Sequence, residues 1–137
     1  CRIGSKRLYE LLDKITKGKG VPEDLTRLRS LANTIKDTAL CGLGQTMPNP
    51  VLSTMETFGN EYDAHINEKK CPAHVCTALL KYSIDPNKCT GCSLCAKVCP
   101  VGCISGDKKE AHTIDQTKCI KCGSCYEKCK FGAITKE

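Results

Sequence analysis

A cysteine pattern that occurs twice in the C-terminal part of the chain constrains its fold more than any other feature. Each copy has four cysteines separated by two, two and three residues, and the second copy follows at an offset of 30 residues. The copies are Cys89, Cys92, Cys95 and Cys99, followed by Cys119, Cys122, Cys125 and Cys129. Flanking residues repeat at the same offset, as in Ile84 and Ile114, Asp85 and Asp115, Lys88 and Lys118, Gly102 and Gly132, and Ile104 and Ile134. The repeat predicts two related halves, each with the order strand, cysteine loop, helix and strand.

This spacing resembles that of two-cluster bacterial ferredoxins. Three thiolates two residues apart can wrap a loop around one [4Fe-4S] cube, whereas the fourth cysteine lies on the following helix and ligates the other cube. The predicted ligand sets are therefore crossed between the halves. One set is Cys89, Cys92, Cys95 and Cys129, and the other is Cys119, Cys122, Cys125 and Cys99.

Two other uses of these cysteines are disfavoured. A zinc ribbon needs four ligands in two pairs, so the third evenly spaced cysteine in each half would have no role. A disulfide framework fits poorly with an odd number of cysteines, 13, and no apolar export segment precedes them. We therefore expect a reducing, cytoplasmic setting.

The formal net charge of +6 does not by itself indicate a nucleic-acid partner. An oxidised cluster with four thiolates carries about −2, so two clusters lower the charge to roughly +2 and three to roughly zero. Lysine and arginine are spread along the chain without aromatic platforms, and no run approaches the ~18 apolar residues of a membrane span. We expect no nucleic-acid binding and no membrane insertion.

The first eighty residues are predicted to be helical. A first helix ends before Gly18, and a second begins at Pro22 and pairs with it antiparallel. A third is predicted from near Pro50, running through or past Gly59. The third helix is predicted to continue toward Tyr62 and His65. The apolar residues at helical spacing are Ile3, Leu8, Leu11, Leu12 and Ile15 in the first helix, Leu25, Leu28, Leu31, Ala32 and Ile35 in the second, and Val51, Leu52, Met55 and Phe58 in the third.

The predicted fold class is α+β, with a small helical bundle followed by a (βαβ)₂ two-cluster ferredoxin-like domain. The predicted domains are a helical cluster domain over 1–65, a linker over 66–81 and the ferredoxin domain over 82–137. Because the chain contains no Trp and few aromatic side chains, its apolar core is expected to be thin. Residues 82–137 should be largely unfolded without metals.

Two further cysteines precede this repeat at sites that suit a metal. Cys1 stands directly before Arg2, and Cys41 lies in a glycine-rich turn between helices. Two thiolates alone do not complete a [4Fe-4S] site. Either both cysteines are ordinary structural residues, or the sequence begins within a motif whose earlier cysteines are missing.

From Cys1 through Cys41 to Phe58, the sequence resembles the C-terminal helical cluster domain of the NADH-binding flavoprotein subunit of respiratory complex I. This resemblance matches Cys1 and Cys41 to the third and fourth cysteines of that domain's [4Fe-4S] site. With the linker Cys71-Pro72-Ala73-His74-Val75-Cys76 and the two-cluster domain, the whole chain resembles the beta subunit of electron-bifurcating [FeFe]-hydrogenases and related NAD(P)-reducing hydrogenase and formate dehydrogenase subunits. The thioredoxin-like part and the FMN- and NADH-binding domain of that family are absent, so we expect a C-terminal fragment.

A zinc site is also expected before the ferredoxin domain. His65, Cys71 and Cys76 lie within twelve residues and offer nitrogen and sulfur ligands. The resemblance implies a zinc at this junction in the bifurcating type. The fourth ligand could be His74, Cys103 or a cysteine upstream of the fragment, and the upstream residue is favoured. The alternative is that the two cysteines are buried thiols and His65 is a surface residue.

Cys103 stands where the second half has Ala133, and the sequence favours a small, buried apolar role for it. The sequence contains no glycine-rich dinucleotide loop, no nucleophile with a positioned base and no open metal site. We therefore predict no catalytic and no flavin- or nucleotide-binding residue in this chain. Its clusters would relay single electrons.

The resemblance implies the remaining cofactors and partners. FMN in the absent domain would exchange electrons with NAD(H), and a third [4Fe-4S] cluster, shared with upstream residues, would carry them from the flavin. The partners would be the catalytic alpha and small gamma subunits of a hydrogenase-type complex, and soluble ferredoxin. The alternatives are an NAD(P)-dependent formate dehydrogenase or NADP-reducing hydrogenase subunit, a zinc-dependent binding module, and a free-standing ferredoxin with a helical extension. The last is disfavoured because Cys1 stands within a cluster motif.

Overall fold

The computed structural model describes residues 1–137, which form two compact units, Cys1–Leu79 and Leu80–Glu137. The first unit is helical and the second combines short strands with short helices, so the predicted α+β class is confirmed. The boundary falls at Leu79, so residues 66–79 of the predicted linker pack with the helical unit. None of the helices combines the length and apolar character that crossing a membrane requires.

The helical unit begins with two antiparallel helices, as predicted. Its α-helices are α1 (Arg2–Thr16), α2 (Pro22–Thr38), α3 (Gly42–Thr46), α4 (Asn49–Thr57) and α5 (Gly59–Asp63). Gly4 near the start of α1 lies against Ile35 near the end of α2, where a Cβ on the glycine would be 2.5 Å from Ile35 Cγ1. At the other end, Lys14 Nζ lies 2.6 Å from Asp24 Oδ2. These two contacts fix the antiparallel direction of the pair.

The core of this unit comes from the predicted apolar stripes. Its buried members are Leu8, Ile15, Leu28, Ala32, Ile35, Met55 and Ile66. Ile3, which shares the spacing of the first stripe, is 77% exposed because it lies in the first turn of α1, outside this cluster. Burial of the stripes stabilises the pair far more than helix propensity does.

The third predicted helix is not continuous. It ends at Thr57, where Phe58 leaves the helical conformation with φ −120° and ψ 34°, and α5 starts at Gly59. A π-helical turn, Ala64–Glu68, follows α5 and ends at Lys69 in the left-handed region with φ 54°. The prediction of one helix through Gly59 toward His65 is therefore wrong, and His65 lies on the π-helical turn.

The second unit has the predicted repeated order of elements. The elements are β1 (Tyr82–Ile84), α6 (Leu94–Val98) and β2 (Ile104–Ser105), then β3 (Thr113–Ile114), α7 (Ser124–Lys128) and β4 (Ile134–Lys136). Each strand pairs antiparallel with a strand of the other half: Ile84 faces Ile134 in the β1–β4 pair, and Ile104 faces Ile114 in the β2–β3 pair. The two halves are thus interlocked rather than side by side.

Candidate metal centres

The backbone of each cysteine loop turns sharply on both sides of its second cysteine. Gly91 and Ser93, next to Cys92, have φ values of 68° and 59°. Lys121 and Gly123, the matching residues of the second loop, have φ values of 58° and 81°. Glycine adopts this conformation freely, whereas it is sterically unfavourable for Ser93 and Lys121 and persists where the surroundings require it. Here these residues curl each loop around the space into which its thiols point.

Two cavities in the second unit each contain four of the eight repeated cysteines. The first is lined by Cys89, Cys92, Cys95 and Cys129. The second is lined by Cys99, Cys119, Cys122 and Cys125. These are the same two groups of four that the sequence analysis predicts as ligand sets. In each group three thiols come from one loop and the fourth follows the helix of the other half.

The thiols of the second cavity lie close to backbone N–H groups. The amide of Cys103 lies 3.4 Å from Cys99 Sγ, and that of Lys121 lies 3.4 Å from Cys119 Sγ. Burial opposes ionisation of Cys99, but backbone N–H groups and the Cys103 thiol together lower its pKa. Hydrogen bonds from the side chain and backbone of Ser124 lower the pKa of Cys122. These donors favour thiolates, the form that binds iron.

Burial acts in the opposite direction on the third thiol of each loop. It raises the pKa of Cys95 and of Cys125, both of which are buried at the start of a helix. Buried thiols of this kind become thiolates when a metal replaces the proton. The donor set of each cavity therefore fits a metal centre that supplies positive charge at its middle.

A histidine that the sequence analysis did not single out lines the first cavity. His112 is 2% exposed, and its Nδ1 lies 3.1 Å from the carbonyl oxygen of Glu110, whereas Nε2 has no hydrogen-bond partner. A Cβ at Gly106 would lie 2.9 Å from His112 Cγ, so glycine leaves room for the ring. An orphaned ring nitrogen in a cysteine-lined cavity fits a site that holds a further polar group.

Tyr82 lines the second cavity at the corresponding point of the repeat. The residue 30 positions after Tyr82 is His112, so the repeat offset was the signal that could have identified both side chains. The two cavities are therefore similar in their thiols but differ in the ring beside them.

Cys1 and Cys41 both lie close to Gly44 in the helical unit. Cys41 precedes α3, and its Sγ accepts a hydrogen bond from the amide of Gly44 at 3.4 Å. A Cβ on Gly44 would lie 3.7 Å from Cys1 Sγ. Both cysteines are exposed. The structure thus brings the two predicted partial ligands to the same end of the helical unit.

The three residues predicted to bind zinc converge in the first unit. The ligand atoms of His65, Cys71 and Cys76 all lie within 4.8 Å of one another. His65 Nδ1 is 2.6 Å from the carbonyl oxygen of Glu61, so this nitrogen carries a proton and leaves the Nε2 lone pair free. Nε2 lies 3.3 Å from Cys76 Sγ. His65 is thus oriented as a metal ligand, and it is 8% exposed rather than a surface residue.

The two thiols of this group differ in their ionisation. Burial opposes ionisation of Cys71, but the amides of Cys76 and Val75 and the side chain of Cys76 lower its pKa to about 7. Burial and the neighbouring Cys71 raise the pKa of Cys76 to about 11. One negative charge is therefore favoured between the two sulfurs, and a cation would stabilise a second.

Contacts within the helical unit hold the histidine in place. Ile66, the next residue, belongs to the apolar core. Lys69 donates a hydrogen bond of 2.7 Å to the carbonyl oxygen of Gly20 in the loop between α1 and α2.

Two candidates for the fourth ligand lie elsewhere. His74 lies outside the three-residue group. Cys103 has its Sγ 3.4 Å from that of Cys99.

Comparison with known protein families divides the chain in the same way as the structure. Residues 1–65 match the family described as the NADH-ubiquinone oxidoreductase-F iron-sulfur binding region. Residues 81–130 match the 4Fe-4S dicluster domain. The predicted resemblance to the complex I NADH-binding subunit and to two-cluster ferredoxins is confirmed at this level, and with it the presence of [4Fe-4S]-binding regions.

Individual relatives are similar over parts of the chain. The NADP-reducing hydrogenase subunit HndC of Solidesulfovibrio fructosivorans is 76% identical over 112 residues, which are 82% of this chain and 23% of that protein. An NADH-quinone oxidoreductase subunit of Streptomyces coelicolor is 38% identical over 72 residues, or 53% of this chain and 16% of that protein. The NADP(+)-dependent formate dehydrogenase subunit beta of Moorella thermoacetica is 38% identical over 58 residues, or 42% of this chain and 8% of that protein. The chain thus spans less than a quarter of the length of each.

Proposed function

We propose that this chain is the iron-sulfur electron relay of a subunit in an NAD(P)-linked hydrogenase complex. The observation that carries the proposal is that the eight repeated cysteines divide between two cavities, four of them in each. When bound, [4Fe-4S] clusters supply one-electron chemistry at potentials between roughly −700 and +450 mV. The matches to the NADH-ubiquinone oxidoreductase-F iron-sulfur binding region and the dicluster domain support the same role.

The ligand sets are crossed. Three thiols of each loop and the fourth cysteine of the other half bind one cluster, so that each cluster fastens both halves of the second unit. The side chains around the thiols are largely apolar, as with Ile84 and Ile134 at the first cavity and Ile104 and Ile114 at the second. The reduction potential of each cluster then depends on how many water molecules these side chains keep away and on the number of N–H donors to its sulfurs.

Cys1 and Cys41 supply two ligands of a third [4Fe-4S] cluster, and the remaining two come from residues upstream of this sequence. The position of these two exposed residues close to the same glycine, Gly44, supports this assignment. FMN and NAD(H) bind in the upstream part of the subunit. A cluster held in part by Cys1 and Cys41 would supply one-electron transfer between the flavin and the second unit.

His65, Cys71 and Cys76 bind a structural zinc, with a fourth ligand from an upstream cysteine. Their convergence within 4.8 Å and the fixed His65 tautomer support this proposal. A structural zinc is closed and tetrahedral, and it links segments that few apolar contacts hold. Here it would fasten the segment after the π-helical turn.

The partner complex is an electron-bifurcating hydrogenase, with a catalytic alpha and a small gamma subunit and with soluble ferredoxin as a further partner. The 76% identity to a protein named as an NADP-reducing hydrogenase subunit favours a hydrogenase over a formate dehydrogenase, whose named subunit is 38% identical over a shorter segment. A subunit that reduces NADP without bifurcation is the alternative.

Metal analysis with EPR spectroscopy tests the relay. The 137-residue chain is purified or reconstituted without oxygen, and iron, sulfide and zinc are quantified before reduction with dithionite. About eight irons in the second unit, with spin-coupled signals from two reduced clusters, are expected. Zinc without iron would overturn the proposal and turn the chain into a structural or binding module.

Two double variants test the crossed ligand sets. Cys92→Ala with Cys129→Ala removes two ligands of one cluster, so the other cluster should survive with about four irons. Cys92→Ala with Cys99→Ala removes one ligand from each cluster, so both should be damaged. The reverse result, with the second variant keeping one intact cluster, would show that each half binds its own cluster.

A further inference from the structure

One thiol of the second unit is not among the eight proposed ligands but lies against one of them. Cys103 directly precedes β2 and is 4% exposed, and its Sγ lies 3.4 Å from Cys99 Sγ. It lines the cavity that contains Cys99, Cys119 and two further ligands. When Cys99 is an iron-bound thiolate it has no proton to donate, so Cys103 is the donor of any hydrogen bond between them.

The other half of the repeat lacks this donor. The residue 30 positions after Cys103 is Ala133, which is 2% exposed and lines the first cavity. A methyl group fills the same position without donating a hydrogen bond. The two cavities therefore offer the same thiolates with different polar support at the fourth ligand.

We propose that the Cys103 thiol donates a hydrogen bond to the Cys99 ligand and makes the cluster of that cavity easier to reduce than alanine at this position would. The inference rests on the proposed function, because it requires Cys99 to be a cluster ligand. Reduction adds one electron and one negative charge to the cluster, while the proton stays on Cys103 Sγ and no bond is made or broken. A donor to a ligand sulfur stabilises the more negative state more strongly, which raises the reduction potential.

EPR-monitored redox titration of the reconstituted 137-residue chain tests this inference. In Cys103→Ala, the one-electron equilibrium constant for reduction of one cluster should fall roughly three- to tenfold, or about 30–60 mV at 59 mV per tenfold. The other cluster should keep its potential, and the iron content should stay the same because alanine occupies this position in the other half. Cys103→Ser keeps a donor and should lie close to the native chain.

The repeat also provides a reciprocal variant. Ala133→Cys places a thiol beside Cys129 and should raise the potential of the other cluster, which identifies the two clusters in the titration. Unchanged potentials in Cys103→Ala with full iron content would overturn the inference and leave the proposed function standing. If Cys103→Ala loses iron, Cys103→Ser decides: a potential as high as the native one supports the inference, and a lowered one overturns it. A native chain that binds no iron would instead overturn the proposed function itself.

Discussion

At the scale of single residues, the two ring nitrogens of His65 have separate tasks. Nδ1 donates to the Glu61 carbonyl at 2.6 Å, and Nε2 lies among the sulfurs of Cys71 and Cys76. The backbone contact fixes the tautomer, and the π-helical turn points the ring toward the segment that follows it. The fixed tautomer leaves the Nε2 lone pair directed toward the two thiols, as the proposed zinc site requires.

Replacing this histidine should remove zinc without removing iron. In His65→Ala, zinc affinity should fall by at least about tenfold, because one of the four ligands is lost and water must replace it. Metal content by mass spectrometry and competition with a chromogenic chelator measure the change. The visible iron-sulfur absorbance should be unaffected.

His74→Ala is the matched control for this variant, because His74 lies outside the three-residue group. It should keep its zinc. Loss of zinc from the control would make His74 the fourth ligand, in place of the upstream cysteine. Iron loss from His65→Ala with unchanged zinc would contradict the assignment of His65.

At the scale of secondary-structure elements, a buried carboxylate joins the end of α1 to the start of α2. Asp24 is fully buried, and its Oδ2 accepts hydrogen bonds from Lys14 Nζ at 2.6 Å and from the amide of Val21 at 3.0 Å. Burial opposes the charge, but the Lys14 and Val21 hydrogen bonds outweigh it and hold the pKa of Asp24 below its usual value. The carboxylate therefore caps α2 and ties the two helices together at once.

Neutralising this carboxylate should destabilise the helical unit. Asp24→Asn should lower the free energy of unfolding by about 2 kcal/mol at neutral pH, because the charged bond to Lys14 is lost. The folded pKa is lower than the unfolded one, so the native advantage is complete above the usual aspartate pKa. It is lost as the pH falls through the folded pKa. Urea unfolding followed by far-UV circular dichroism measures both effects.

The exposed pair of Asp13 and Lys17 is the control, with its oxygen and nitrogen 2.8 Å apart on α1. Asp13→Asn should change the stability by no more than about 0.5 kcal/mol, since solvent already screens this pair. An equal loss in both variants would mean that burial adds nothing to the Asp24 bond.

The sequence predicted the elements of the second unit better than those of the first, for a physical reason. The repeated cysteine spacing requires a loop, a helix and flanking strands, so the position of Cys95 or Cys125 fixes its neighbours. No such requirement acts at Phe58, where apolar residues continue at helical spacing although the chain turns. That turn and the π-helical turn depend on tertiary contacts such as the one between Lys69 and Gly20.

The same limit applies within the site. The spacing predicted the groups of four cysteines that the cavities contain, and it brought His65, Cys71 and Cys76 to attention. It did not predict that Cys103 would lie against Cys99 or that His112 would line a cavity. Such contacts follow from how the halves interlock, which the spacing of ligands along the chain does not describe.

At the scale of the whole molecule, the two units have cores of different composition. The core of Cys1–Leu79 is built from aliphatic side chains and a methionine contributed by α1, α2, α4 and the π-helical turn. The core of Leu80–Glu137 has seven buried members, of which three are cysteines: Cys95, Cys103 and Cys125. With three thiols among seven members, this core buries less aliphatic surface than that of the first unit, and its strands are two or three residues long.

Removing iron should therefore unfold the second unit and leave the first one folded. Each proposed cluster links cysteines from both halves, so its loss removes the links that replace an apolar core. In chain treated with an iron chelator and a mild oxidant, amide hydrogen exchange should become fast throughout residues 80–137. Protection should persist in α1 and α2, where Leu28 and Ala32 are fully buried.

A chain treated under conditions that remove zinc alone is the control, and it should keep full protection in residues 80–137. Its increase in exchange should be confined to the segment around Cys71 and Cys76, which the proposed zinc fastens. Persistent protection of the strands β1 and β4 after complete loss of iron would contradict this prediction, since it would require the few aliphatic contacts of the second unit to hold it together. The entropy of ordering nearly sixty residues, at about 1–2 kcal/mol each, makes that outcome inconsistent with a core in which only four buried members are not cysteine.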